Sequence, residues 1–287
     1  MIRLAVRCRA EAAEALLPAL LELSPNGVEE QEGGSWVEYT VYGPAGEVPE
    51  LGWLQAAVGD GLVEVTSTEI PDDWADRWRD FHRAVAIDDR LCVRPAWDEA
   101  GGEGVEVDVV VDPGQAFGTG AHPTTRMCLE LLLELADRGE AAGALTDLGT
   151  GTGVLAIAAA KLGWRPVAGV DHERAALDAA AANAKANGVK LELARVNLRE
   201  EVPELAPTVA ANLTAPLLVD VAQRLREPPR WLVASGMLQA EVGQVKEAFG
   251  ACGLRGVARR DSGDWAALLV AGRVDRGIRG QLDQGRG

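Results

Sequence analysis

This 287-residue chain holds little that suits metal or disulfide chemistry. Its four cysteines, Cys8, Cys92, Cys128 and Cys252, are far apart and form no Cys-x-x-Cys pair. Its three histidines, His82, His122 and His172, are equally dispersed. Neither a disulfide framework nor a zinc site is indicated, and the cysteines read as small buried apolar residues in a reducing cytosol. Long hydrophobic runs are also lacking. The longest uncharged stretch, Leu205 to Val219, has fifteen residues and contains Pro207, Asn212 and Pro216, whereas a membrane span needs roughly 20 mostly apolar residues. Arg7, Arg9, Glu11 and Glu14 interrupt the N-terminal stretch, so no signal peptide is expected. Basic residues are scarce: 28 Lys and Arg face 44 Asp and Glu, a net charge of −16. That argues against a main role in gripping nucleic-acid backbone and suits either a cationic partner or simple solubility. With 47% apolar and 25% charged residues, wholesale disorder is excluded. The length fits two domains or one large one.

The first seventy residues read as a small α/β unit. Ile2, Leu4, Val6 and Cys8 alternate with Arg3, Arg7 and Arg9, the period of a half-buried strand. Glu11 to Leu23 has helical composition with Pro18 as a kink, and Ser24-Pro25-Asn26-Gly27 is a turn. Val28 to Glu32 and Trp36 to Tyr42 read as strands, Pro49 to Val58 as a helix and Leu62 to Ser67 as a strand. The order β-α-β-β-α-β is that of a ferredoxin-like domain over residues 1–70. Residues 71–104 read as a linker. A helix bearing Trp74, Trp78 and Phe81 on one face, best explained as packing onto a domain, is followed by an extended segment from Arg90 to Trp97. Val105 to Val111 is strand-like. From there strands and helices alternate to Ala271, which means a mostly parallel sheet with helices on both faces, over residues 105–273. Leu254 to Arg260 and Trp265 to Ala271 close it as an antiparallel hairpin. Residues 274–287 are polar and Gly-rich, a tail expected to be disordered.

The strongest chemical signal is Asp147-Leu148-Gly149-Thr150-Gly151-Thr152-Gly153 between a strand and a helix. Glycines let the backbone approach a ligand, and a helix N-terminus favours anionic groups. The spacing is neither that of a dinucleotide fingerprint nor that of a P-loop. Asp171 ends the next strand, eighteen residues after Gly153, where an acid meets a ribose diol at the switch point of a doubly wound sheet. Loop and acid together predict a nucleoside-type cofactor. A loop poorly spaced for pyrophosphate favours S-adenosylmethionine over NAD.

Two further constellations flank it. Asp112-Pro113-Gly114-Gln115-Ala116-Phe117-Gly118-Thr119-Gly120-Ala121-His122-Pro123-Thr124-Thr125 reads as a shaped binding loop. Phe117 suits packing on an adenine or methyl donor, and Thr124 or Thr125 suits helix capping and donation to a ligand. His122 is read as structural or capping. Val209-Ala210-Ala211-Asn212-Leu213-Thr214 is a strand ending in Asn at the carboxyl edge, where ligands bind in open α/β folds. Asn212 either orients an amine or caps the next helix.

Taken together, the 112–125 loop, the 147–153 turn, Asp171, Asn212-Leu213 and Ser235-Gly236-Met237-Leu238 resemble the bacterial ribosomal protein L11 methyltransferases (PrmA). The resemblance runs from Arg3 to about Arg273 and includes Asp73-Trp74, Trp78 and Phe81-His82. It implies a class I fold of seven strands, one reversed, with an N-terminal substrate-recognition domain. It further implies transfer of methyl groups from S-adenosylmethionine to amines of ribosomal protein L11, in the cytoplasm. By motif, Thr125, Gly149, Gly151, Asp171 and Asn212 would contact the cofactor, with Phe117 beside them and Asn212 also orienting the amine. No metal, membrane or nucleic-acid role is expected, and the chain is expected to be a monomer. The rival readings are a protein-lysine methyltransferase with another target, a nucleic-acid methyltransferase and a non-catalytic cofactor-binding scaffold.

Overall fold

The N-terminal strand, β1 (Ile2–Arg9), buries Leu4, Val6 and Cys8 on one face. Arg3 and Arg7 on its other face both pair with Glu38 of β3 (Trp36–Gly43), Arg7 at 2.7 Å. The alternation read from the sequence is therefore the alternation of core and solvent. With β2 (Glu29–Glu32) and β4 (Leu62–Glu69) these strands form an antiparallel sheet in the order β2-β3-β1-β4.

The computed structural model describes residues 2–9, 12–13, 29–33, 36–43, 62–69, 83–99, 104–112 and 120–272. Apart from Ala12 and Ala13, which are helical, the helices expected over 11–23 and 49–58 lie outside the described residues, as do the aromatic segment Trp74 to His82, Phe117 and the tail from 274. The chain divides into two units, Met1–Arg83 with Gly114–Ala116, and a second that begins at Ala84 and comprises Ala84–Pro113 with Phe117–Gly287.

That beginning lies well upstream of Val105. The segment expected to be an extended connector is instead part of a three-stranded sheet. β5 (Val85–Ile87) pairs antiparallel with β6 (Leu91–Arg94), which pairs parallel with β7 (Val107–Val110). Ile87, Leu91, Val93, Val107 and Val109 are buried in the same core as the helices that follow. Arg94 grips Asp108 with two hydrogen bonds of 2.8 Å across the β6–β7 pair. β7, which reads as the first strand of the large domain, thus belongs to this small sheet.

The main sheet has seven strands: β8 (Leu145–Leu148), β9 (Val167–Asp171), β10 (Glu192–Arg195), β11 (Thr208–Asn212), β12 (Trp231–Leu238), β13 (Arg255–Ser262) and β14 (Trp265–Ala271). Their order is β10-β9-β8-β11-β12-β14-β13. All neighbours run parallel except at β14, which is antiparallel to both β12 and β13. The sheet is therefore α/β with seven strands and one reversed, the arrangement of class I methyltransferases. Successive residues of its strands enter opposite cores. Ala210, Val233, Ala267 and Leu269 face α1 (Pro123–Asp137), α2 (Val154–Leu162) and α3 (Arg174–Ala186). Val209, Ala211, Leu232, Ala234, Leu268 and Val270 face α4 (Ala215–Arg224) and α5 (Val242–Ala251). Strands buried on both faces need near-continuous apolar sequence, which is what these runs supply. Among the described residues no helix is long and apolar enough to cross a membrane.

Candidate active site

The carboxyl ends of β8, β9 and β11 bring the motif residues to one edge of the main sheet. The sheet order places β8 between β9 and β11, so the chain departs to opposite sides there. A crevice opens at such a switch point. After β8 the backbone bends through Gly149, Gly151 and Gly153, with φ of 71°, 53° and 82°. The Gly149 and Thr150 N–H groups both donate to the Val170 carbonyl at 2.9 Å, and the Gly153 N–H donates to Thr150 at 2.8 Å. Leu213 lies directly over Gly149: a Cβ there would be 2.4 Å from Leu213 Cδ2 and would displace that side chain. The N-terminus of α2 has no side-chain cap, so its first N–H groups and its dipole are left to favour an anionic group.

Asp147 anchors this loop from below. It is 1% exposed, and its Oδ2 accepts the Thr150 hydroxyl at 2.8 Å. Its Oδ1 makes no hydrogen bond, although the Ala156 N–H in the first turn of α2 favours the charged form. Burial outweighs both and pushes the carboxyl up to about 7. Next to it in the core, burial pushes the Cys128 thiol up strongly, and the Asp147 charge adds to this. Cys8, Cys92 and Cys128 are buried, as expected, and Cys252 is half-buried.

Asp171 ends β9. Its Oδ2 accepts the Gly151 N–H at 3.0 Å and its Oδ1 accepts the Glu173 N–H at 3.1 Å. The acid and the glycine loop, linked in the sequence only by spacing, are thus in direct contact. His172, which follows, is largely exposed, with Nδ1 3.4 Å from Asp171 and Nε2 3.5 Å from Glu173.

Asn212 ends β11, and its Nδ2 donates to Thr125 Oγ1 at 3.3 Å. Thr125, in the first turn of α1, is fully buried. Two residues chosen from motifs 87 positions apart therefore meet. The Asn212 side-chain carbonyl accepts no hydrogen bond from a described residue. Asn212 is not the cap of the next helix: Thr214 holds that position, without a side-chain bond. Leu213, the next residue, packs against Gly149, so the β11 end and the glycine loop touch. The cap of α1 is His122, not Thr124 or Thr125. Its ring accepts the Thr124 N–H and lies 2.7 Å from the Thr124 hydroxyl, with Pro123 as the first helical residue. The ring also stands edge-on to Trp265 at 4.9 Å, and burial lowers its pKa.

Three further residues support this edge: Ser235 and Gly236, quoted from the sequence only as part of a motif and given no role, and Asn183, which sequence reasoning missed. Gly236 forms a bulge in β12 at φ +88°, where a Cβ would lie 2.4 Å from the Leu213 carbonyl oxygen. Ser235 accepts the Leu213 N–H at 2.9 Å, so β12 clamps the segment after Asn212. Asn183 on α3 joins the backbone at Asp112 to that at Thr152. An asparagine in an Ala-rich helix interior was the available signal, because Asn is disfavoured there unless its amide is used. Among the described residues no group of three or more His, Cys, Asp or Glu side chains is placed to hold a metal ion.

Comparison with known proteins is consistent with this geometry. Residues 1–273 match the family model described as ribosomal protein L11 methyltransferase (PrmA). A ribosomal protein L11 methyltransferase of Symbiobacterium thermophilum is 34% identical, over 94% of this chain and 98% of that one. That of Pelotomaculum thermopropionicum is 38% identical over 74% of this chain and 70% of its own. The crystal structure of a ribosomal protein L11 methylase from Lactobacillus delbrueckii subsp. bulgaricus superposes with a TM-score of 0.60. It is 25% identical and covers 67% of this chain and all of that one. With a family match over nearly its whole length and the strand order of a class I methyltransferase, the chain belongs to the ribosomal protein L11 methyltransferase family.

Proposed function

We propose that the protein methylates amines of ribosomal protein L11, lysine side chains or the N-terminal amine, with S-adenosylmethionine as donor, and does so in the cytoplasm as a monomer. Membership of the family supplies the reaction and both partners. The observation that carries the site assignment is the meeting of Asp171 with Gly151 and of Asn212 with Thr125 at one sheet edge.

The residues present fit this donor. Asp171 retains acceptor capacity for a ribose diol beyond its two backbone bonds, since a carboxylate offers about four lone-pair sites. Gly149, Gly151 and the uncapped start of α2 line the bend where the amino-acid end of the donor would lie, and Thr125 adds a hydroxyl. Phe117, outside the described residues, is kept as an adenine or methyl-donor contact on its motif alone. When bound, the sulfonium supplies a methyl whose carbon–sulfur bond breaks as the lone pair of the amine nitrogen forms the new bond.

The chain must supply a neutral amine in line. A free lysine is neutral at pH 7 only about once in 2,500, a handicap of about 4.6 kcal/mol. Desolvation beside a cation lowers that cost, and an α-amino group with pKa about 7.7–8.0 needs less help. Asn212 is suited to the remaining task. Thr125 holds its NH2, which directs its carbonyl outward as an acceptor for the amine N–H. A carboxylate at this position would favour the charged ammonium instead. The proton leaves to water before transfer, and orientation supplies the rate enhancement. Asn212 is followed by Leu213-Thr214-Ala215, whereas base-modifying enzymes carry Asn-Pro-Pro-aromatic and stack that aromatic residue on a flipped base, which weighs against a nucleic-acid substrate.

The first unit, residues 1–70 at its core, is proposed as a ferredoxin-like recognition domain. Its antiparallel strand order β2-β3-β1-β4 supports this. The test is incubation of the purified protein with ribosomal protein L11 and methyl-labelled donor, followed by mass spectrometry. Methyl groups on lysine or N-terminal amines are expected. Donor binding without any label on that protein, or label on ribosomal RNA alone, would overturn the substrate assignment.

A further inference from the structure

Asn183, near the end of α3, is 3% exposed, and both ends of its amide are used on backbone outside its own helix. Its Nδ2 donates to the Thr152 carbonyl at 2.9 Å, and its Oδ1 accepts the Asp112 N–H at 3.0 Å. One turn later Asn187, the C-cap of α3, does related work on β7. Its Oδ1 accepts the Val110 N–H at 2.9 Å, and its Nδ2 donates to the carbonyls of Asn183, at 2.8 Å, and Val110. Burying a primary amide is costly when its bonds are not made, and Asn is a poorer helix former than Ala. Helix packing alone would be served by an alanine or leucine. What the amide adds is a donor and an acceptor together, matched to one carbonyl and one N–H on two separate segments.

Those segments matter. Thr152 lies between Gly151, whose N–H holds Asp171, and Gly153, which opens α2. Asp112 is the last described residue before the 120–125 segment that leads into α1 and Thr125. We propose that Asn183 is a positioning residue for the donor site: its single amide sets the spacing between the Asp112 segment and the glycine loop, and so keeps the Gly151 N–H on Asp171. The proposal rests on the reading of that edge as the S-adenosylmethionine site. Asn187 provides the internal comparison, because it supports β7 without touching the glycine loop.

The replacement Asn183→Asp separates this role from general packing. An ionised carboxylate still accepts the Asp112 N–H but turns an acceptor toward the Thr152 carbonyl. A protonated carboxyl donates there and restores both bonds. Donor affinity, measured by calorimetry on the full chain, should fall about tenfold relative to wild type at about pH 8. The ratio to wild type should recover toward one as the pH is lowered to about 5.5. Asn187→Ala should lower the melting temperature yet change donor affinity less than about twofold. Hydrogen exchange of the ligand-free protein gives the second readout. In Asn183→Asp at the higher pH, the Gly151 and Gly153 amides should lose protection selectively. A pH-independent affinity ratio, an equal affinity loss in Asn187→Ala, or a uniform rise in exchange would overturn the proposal. If wild type binds no donor, the cofactor reading falls, while the exchange measurement still decides whether Asn183 ties the two loops.

Discussion

Removing the charge of Asp147 at nearly constant size, by Asp147→Asn, should stabilise the protein above neutral pH and alter it little in mild acid. The carboxyl sits at the end of β8 with 1% exposure and a single hydrogen bond, from Thr150. Burial is the largest influence and raises its pKa from 3.8 to about 7. Thr150 and the Ala156 N–H pull it back, and Asp171 adds a smaller upward push. A carboxyl with a raised folded-state pKa holds its proton longer in the native than in the unfolded chain. Its contribution to stability is therefore full below about pH 4 and is lost as the pH rises through about 7. A shift of roughly three units corresponds to about 4 kcal/mol over that window. Asparagine does not titrate, and its amide oxygen can still accept from Thr150. The stability of the variant minus that of wild type should thus grow with pH by up to about 4 kcal/mol and level off above about pH 7. Urea unfolding of both proteins between about pH 4 and about pH 8, followed by tryptophan fluorescence with Trp164 buried in the core, measures this difference directly. A difference that stays constant across the range would show that Asp147 ionises at an ordinary carboxylate pKa, and the burial argument would fail.

Asp171→Ala should weaken S-adenosylmethionine binding by about 1.5–3 kcal/mol, the scale of a hydrogen bond to a charged group; unchanged calorimetric affinity in a folded variant would remove the ribose assignment. A fragment beginning at Ala84 should bind donor but fail to methylate ribosomal protein L11. It must begin there and not at Val105, because β5 and β6 complete the sheet that contains β7, and methylation at the full rate would refute a recognition role for the first unit. Asn212→Ala should lower turnover more than tenfold, about 1.4 kcal/mol, with a smaller effect on donor affinity. Equal losses in both would mean that Asn212 chiefly holds the donor.

The main sheet was legible because each of its inner strands carries its own signal. Val167–Asp171 is a short apolar run closed by an acid, and it ends in the structure at Asp171, as read from the sequence. The small sheet was not legible for the opposite reason. β5 and β6 have three and four residues, too few to show a period, and β6 gains its parallel partner β7 only across an intervening Gly-rich stretch of sequence. Pairing of that kind is a property of the folded whole. β12 continues past Ser235 because Gly236 absorbs a bulge and lets pairing with β14 resume at Met237.

In the active-site region, legibility followed whether a residue acts through its own side chain at an element's end or through another segment's backbone. Asp171 and Asn212 stand where strands stop, and an isolated polar residue after an apolar run announces itself. His122, read as structural or capping, is the cap of α1, and the proline at the first helical position marks the residue before it as the cap. Asn183 and Gly236 carry no such mark. Each is defined by a backbone group it meets, Thr152 and Asp112 for the first and Leu213 for the second, and those groups are the same in every amino acid. What the sequence records of them is only a cost: an amide that weakens a helix, and a glycine that weakens a strand. In a chain that otherwise spends Ala in its helices and branched apolar residues in its strands, such a local penalty is tolerated where a distant backbone group offsets it. The two penalties fall beside the glycine loop and beside the Asn212 turn, the segments whose mutual spacing a donor and an amine in line would require.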